Sequence, residues 1–336
     1  MMETLNFNPS DYLPRGYYPW PDLINPHVDQ LRNEVHDWYD NDYTDWLIKE
    51  QKEKYKRQEL EDCICRMSPK TDYDSLKTFA IWFVLATVWD DQFEYTSIEE
   101  FEHLQQRIVD VFYGKTINSE HSGPDRLVAL MRDIMRRQRV PQEWMDRVMD
   151  DNNRYILYGE REEVAFRKEL RYPPSATYLI TREHSIALHV CFNWSELGAG
   201  FILPQRLAEH PFLQRLRRLG ARICVLMNDI HSLRKEMGKE MEGILNMVRV
   251  LQHERNLSVE DACIETKRIH DDLLSTFVIM QNNVPDFGVY NDGVKAYILD
   301  MGMMIQGLNT YYHISANTRY ANNGAGFAWR ESKLVQ

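Results

Sequence analysis

No stretch of the 336-residue chain approaches the ~18 uninterrupted apolar residues that a membrane-spanning helix requires, so no transmembrane helix is expected. Cysteine is scarce. The five present, Cys63, Cys65, Cys191, Cys224 and Cys263, are an odd number in a long chain and argue against a disulfide scaffold. Cys63 and Cys65 have no second pair and no nearby histidine with which to complete a zinc site. Basic residues are outnumbered 40 to 51, a net charge of −11, whereas a nucleic-acid binder would present a basic face. Cations, or a cation-bearing substrate, are the expected partners. The N-terminal MMETLNFNPSDYLPRGYYPWPD lacks a basic segment followed by an apolar one, so no secretory signal is read and a soluble, cytoplasmic protein is expected.

Also missing are alternating strands joined by glycine-containing hairpin turns, Gly/Ser linkers, charge blocks and long-period repeats. What is there reads as helix. Segments of helical length recur at 27–49, 73–92, 97–112, 124–138, 141–170, 175–195, 204–236, 240–252, 258–283 and 287–316. Within the first, Val28, Leu31, Val35, Trp38 and Trp46 keep mostly to one side. Pro14, Pro19, Pro21 and Pro26 make residues 1–26 an irregular, aromatic-rich arm that should lie over the rest. The expected architecture is all-α: the arm, one helical domain over 27–320, and a flexible tail over 321–336.

Two stretches carry chemistry. WDDQFE at 89–94 ends an almost uncharged run, FAIWFVLATVW, and places three acids where a buried segment stops. On a helix Asp90 and Glu94 share a face while Asp91 is rotated by about 100°. Two converging carboxylates repel unless a cation sits between them, and oxygen-only ligands suit Mg²⁺. Phe83, two turns back, puts aromatic surface below the acids. The bland reading is a helix leaving the core and ending in solvated acids. In the second stretch, LMNDIHSLRKE, Asn228, Ser232 and Glu236 stand at i, i+4 and i+8, one stripe of oxygens suited to Mg²⁺ that also binds phosphate. Arg234 and Lys235 flank it, as a pyrophosphate would need. The bland reading here is a polar helix face.

DDQFE and NDIHSLRKE, in this order and separation, resemble the aspartate-rich and NDxxSxxKE motifs of class I terpene synthases. Arg319–Tyr320 in HISANTRY resembles that family's C-terminal RY pair, Arg182 in YLITREHS its pyrophosphate-sensing arginine, and NPHVDQLRNEVHDW the start of its catalytic domain. The resemblance spans nearly the whole chain. It implies a helical barrel whose two motifs hold three Mg²⁺ ions on the diphosphate of an isoprenyl substrate, with farnesyl diphosphate expected and geranylgeranyl diphosphate the alternative. Asp90 and Asp91, with Glu94 assisting, and Asn228, Ser232 and Glu236 would make up the metal site, within which the role favoured for Asp91 is a salt bridge on closure rather than direct ligation.

The same resemblance gives Arg182, Lys235, Arg319 and Tyr320 the diphosphate, and makes ionisation to an allylic cation the reaction. Phe79, Phe83, Trp194 and Tyr312, with Trp82, Trp89 and Phe192, are candidates for an aromatic pocket, although core packing accounts for each equally well. Monomer and homodimer are both compatible with the family. There are departures. Thr87 stands where the family often has an aromatic, His313 where it often has a tryptophan, and Ser185 where an acid usually follows the sensing arginine.

Three other functions are compatible with parts of the sequence. Chain-elongating prenyl transferases repeat the aspartate-rich motif, which Asn228 and Ser232 do not. His270–Asp271 resembles the HD pair of helical phosphohydrolases, yet none of His184, His189, His210, His231 and His253 is followed by an aspartate. A non-catalytic helical interaction protein would leave both oxygen stripes as surface decoration.

Overall fold

The computed structural model describes residues 5–93, 97–115, 123–237 and 245–314, and among them every regular element is helical. Its α-helices are α1 Val28–Asn41, α2 Lys49–Gln58, α3 Leu60–Met67, α4 Tyr73–Phe93, α5 Ile98–Tyr113, α6 Pro124–Arg137, α7 Gln142–Arg154, α8 Arg161–Glu169, α9 Ser175–Ser185, α10 Leu188–Gly198, α11 Gln205–Ala208, α12 Pro211–Glu236, α13 Met247–Arg255, α14 Val259–Asn282 and α15 Asn291–Ile314. A π-helical turn, Tyr155–Glu160, joins α7 to α8.

Local signals place the ends. Ser97 and Glu100 cap α5 reciprocally, and the side chains of Asn246 and Ser258 accept the first free amides of α13 and α14. Helices apolar on nearly every side become the centre. The α4 run from Phe79 to Trp89 is buried almost throughout, and α12, about 39 Å long at 1.5 Å per residue, packs against α9, α10, α14 and α15.

Three departures from the expected elements have physical causes. The helix expected over 27–49 stops at Asn41, and α2 and α3 follow where none was foreseen. KEQKEKYKRQ shows no apolar stripe because Tyr55 alone, with the buried stems of Lys54 and Gln58, seats α2. The span 175–195 breaks at Ala187, whose left-handed φ of 59° turns the chain between α9 and α10.

The arm is held rather than loose. Leu13, Tyr18 and Trp20 are buried; His313 Nε2 donates to Leu13 O at 2.7 Å, Arg234 Nη2 to Phe7 O at 2.8 Å, and Trp20 Nε1 to Gln281 Oε1 at 2.9 Å. His270 is wholly buried: its Nε2 meets Tyr18 Oη at 2.8 Å and its Nδ1 meets Asp271 Oδ1 at 3.0 Å. Asp271 also accepts Tyr17 Oη and Lys267 Nζ. The HD pair is an anchor for the arm. The tail over 321–336 lies outside the described residues, and no described helix is long and apolar enough to cross a membrane.

Candidate active site

α4, α10, α12 and α15 surround a cleft of about 1120 Å³, a figure that includes its open mouth, closed on one side by the π turn, α8 and the end of α9. From α4 come Trp82, Phe83, Ala86, Thr87 and Asp90, one face of the helix with the acid about 10 Å along the axis from Phe83. From α12 come Asn228, Ser232, Lys235 and Glu236, so both oxygen-bearing stretches face one cavity.

Ser232 is buried and its hydroxyl has no hydrogen-bond partner among the described residues. An orphaned buried oxygen normally costs stability, and here it stands between an amide and a carboxylate at helical spacing. Asn246 Nδ2 donates to Glu236 Oε2 at 2.8 Å, orienting that carboxylate. The donor set is all oxygen and fits Mg²⁺. Among the described residues no cluster of three His, Cys, Asp or Glu could hold a metal, because this stripe uses an amide and a hydroxyl instead.

Asp229, between the ligand positions, points the other way. It accepts Tyr178 Oη at 2.6 Å and Met247 N at 3.0 Å, and burial pushes its carboxyl up to about 7. It ties α12 to the start of α13. Asp91 accepts Tyr55 Oη at 2.7 Å and is not among the residues that line the cleft.

Arg182 lies at the centre of the cationic side. Its Nη1 donates to Glu163 Oε1 at 2.9 Å and to Ser185 Oγ at 2.8 Å, and its Nη2 stands 3.5 Å from Asn228 Oδ1. Ser185 Oγ in turn donates to Glu163 Oε1, and Arg167 Nη2 donates to Glu163 Oε2 at 2.6 Å. The acid missing from position 185 is thus supplied in space by Glu163 of α8. Burial would raise this carboxyl, but Arg182, Arg167 and the Ser185 hydroxyl outweigh it and hold the pKa low. Glu160, one turn earlier, has no such partner among the described residues. Burial first, then the charges of Glu163 and Asp90, push its carboxyl well above the usual carboxylate range.

Two backbone features make this possible. The π turn inserts its extra residue beside the site, and Gly159 within it lets α9 approach so closely that a Cβ would stand 2.6 Å from the Ser185 backbone.

Of the aromatic candidates, Phe83, Trp82 and Tyr312 line the cleft. Phe79 and Trp194 do not: they stack behind Trp82, with Trp194 at 5.7 Å and Phe79 at 6.5 Å. Phe192 packs against Gly220, and Trp89 borders a separate, mostly apolar gap. Arg234 is drawn to the arm, leaving Lys235 on the cleft. Glu94, Arg319 and Tyr320 lie outside the described residues. Glu163, Arg167 and Tyr155 also line the site and went unread in the sequence; Glu163 and Arg167, four apart in REEVAFR, look like an exposed helical ion pair.

The model of "Terpene synthase family 2, C-terminal metal binding" matches residues 81–276, more than half of the chain. The chain belongs to this family. It is 27% identical over 318 residues to a (+)-T-muurolol synthase of Roseiflexus castenholzii, covering 93% of this chain and 94% of that one. It is 23% identical to a germacrene A synthase of Nostoc punctiforme, covering 88% and 91%. A solved 2-methylisoborneol synthase of Streptomyces coelicolor, crystallised with Mg²⁺ and 2-fluoroneryl diphosphate, superposes with a TM-score of 0.77 at 17% identity, covering 91% of this chain and 96% of that one. The protein is therefore an enzyme, a class I terpene synthase of the microbial type with the all-α fold that goes with it.

Proposed function

We propose that the protein ionises farnesyl diphosphate and cyclises the resulting cation, releasing a sesquiterpene and pyrophosphate. The observation that carries this is the meeting of Asp90 with the Asn228, Ser232 and Glu236 stripe, Arg182 and Lys235 on one cleft. The C15 chain length is supported by the muurolol synthase relative, which is described as cyclising farnesyl diphosphate.

Asp90, Asn228, Ser232 and Glu236 would hold Mg²⁺, three ions by family resemblance, with Glu94 assisting. Bound there, Mg²⁺ supplies Lewis-acid stabilisation of the charge that gathers on the leaving diphosphate. Arg182 and Lys235, with Arg319 and Tyr320 of the C-terminal segment, donate hydrogen bonds to the same oxygens. The allylic C–O bond breaks with both electrons on the diphosphate, so no protein nucleophile is required. Phe83, Trp82 and Tyr312 present aromatic surface to the cation, and the apolar wall of Ala86, Leu188 and Leu308 keeps water away.

The test is incubation of the purified protein and Mg²⁺ with geranyl, farnesyl and geranylgeranyl diphosphate separately, reading pyrophosphate and the hydrocarbon extract by gas chromatography and mass spectrometry. A cyclic C15 product from farnesyl diphosphate is expected. A C20 product alone would overturn the chain length, and no pyrophosphate from any of the three would overturn the assignment of the site.

A further inference from the structure

Asn228 is a two-faced ligand: one end of its amide is an oxygen that can take a cation, the other an NH₂ that cannot. Two neighbours decide which end points where. Arg182 Nη2 lies 3.5 Å from Oδ1, and a guanidinium carries donors only, so the atom that faces it is the oxygen. The other end, Nδ2, donates to Tyr312 Oη at 2.9 Å.

The phenol is itself held in place. Its ring lies 5.1 Å from that of His231 at an angle of 37°. His231 is bonded through both nitrogens, Nδ1 to Ser10 Oγ and Nε2 to Asn309 Oδ1, each at 3.0 Å. Asn309 Nδ2 donates to Pro14 O at 3.2 Å, so its oxygen faces the imidazole, the ring proton sits on Nε2, and Nδ1 accepts from Ser10. One tautomer satisfies every bond. The chain of contacts runs from the arm through His231 to Tyr312 and ends on the amide.

We propose that Tyr312 is a positioning residue: its phenol oxygen holds the Asn228 amide nitrogen, so that Oδ1 is the end offered to a cation on the stripe shared with Ser232 and Glu236. This rests on the functional reading above and adds to it. When the oxygen leaves Arg182 for a cation, Tyr312 still holds the nitrogen, and the amide does not flip. Without the hydroxyl, the flipped amide would turn its NH₂ toward the ion.

Calorimetric titration with Mg²⁺ and inorganic pyrophosphate, in the absence of any isoprenyl substrate, reads the ligand set apart from turnover. Tyr312→Phe should bind about tenfold more weakly than the wild type, the weight of one hydrogen bond. In Asn228→Asp both ends of the side chain are oxygens and orientation no longer matters, so adding Tyr312→Phe there should change binding by less than about twofold. Wild-type binding by Tyr312→Phe would overturn the proposal. So would an equal loss in both backgrounds, because the phenol would then act on the diphosphate directly. If the wild-type protein itself bound no Mg²⁺ and pyrophosphate, the functional reading would fall, an outcome distinct from either.

Discussion

Trp20 occupies the space that a side chain at Gly302 would fill: a Cβ built on that glycine would stand 2.3 Å from the indole Nε1. The arm is therefore seated against the bare backbone of α15, the helix that also carries Tyr312 into the cleft. Phe277 meets the indole edge-on at 5.4 Å from the α14 side, completing the slot.

Gly302→Ala tests how firmly this seat is made. The indole cannot retreat without breaking its bond to Gln281, so the substitution should cost about 1–3 kcal/mol in urea unfolding, the usual range for overpacking. Limited proteolysis should also cut faster within the first 26 residues. An unchanged midpoint together with unchanged cleavage would show that the arm slides along α15 at no cost.

Trp82 separates two spaces. On one side is the cleft; on the other is a narrow, mostly apolar gap bordered by Leu85, Trp89, Ile108, Val128, Met131 and Met149, and among the described residues only Trp82 and Ala86 line both. The indole is fixed in this partition by its Nε1 bond to Asn152 Oδ1 at 2.9 Å and by stacking on Trp194. Trp82→Leu should join the spaces and raise the preference for geranylgeranyl over farnesyl diphosphate about tenfold, comparable to the change a reshaped hydrophobic pocket makes. It should also cost about 2–4 kcal/mol of stability from lost packing. Competition between the two substrates, read by product mass, checks the first expectation; an unchanged ratio in a folded variant would mean that the depth of the cleft is set elsewhere.

Much of this was legible before any coordinates. Asp90, Asn228, Ser232, Lys235 and Glu236 were readable because helical spacing alone places their side chains on stripes, and the uncharged run before Asp90 marks a buried wall. Sequence spacing does not show which elements meet. Glu163 reaches Arg182 across 19 positions, and in its own segment it looks like one partner of an exposed ion pair. Tyr312 and His313 are adjacent, yet one lines the cleft while the other bonds the arm, a division that depends on the rotation of α15. The polar helix α2 hid for a related reason, since Tyr55 is its only buried apolar residue.

Glu196 provides a test of burial away from the cleft. Its Oε2 accepts Arg147 Nη2 and Leu203 N, each at 2.8 Å, while its Oε1 has no partner among the described residues. Burial pushes its carboxyl from the ordinary 4.5 up to about 7, against the pull of Arg147 and Arg217. As pH rises from 4.5, the unfolded chain gives up this proton first, while the folded protein keeps it until about 7. The group's contribution to stability is therefore largest below pH 4.5, falls as pH rises toward 7, and is level above. The swing is about 3 kcal/mol for a shift of this size. Glu196→Gln keeps both acceptor bonds and has no proton to lose, so its stability relative to the wild type should improve by about 2–3 kcal/mol between pH 5 and pH 8. Urea unfolding of both proteins at the two pH values measures this difference. A constant gap would mean that the ion pair with Arg147 compensates the burial fully and that Glu196 is ionised in the folded protein throughout this range.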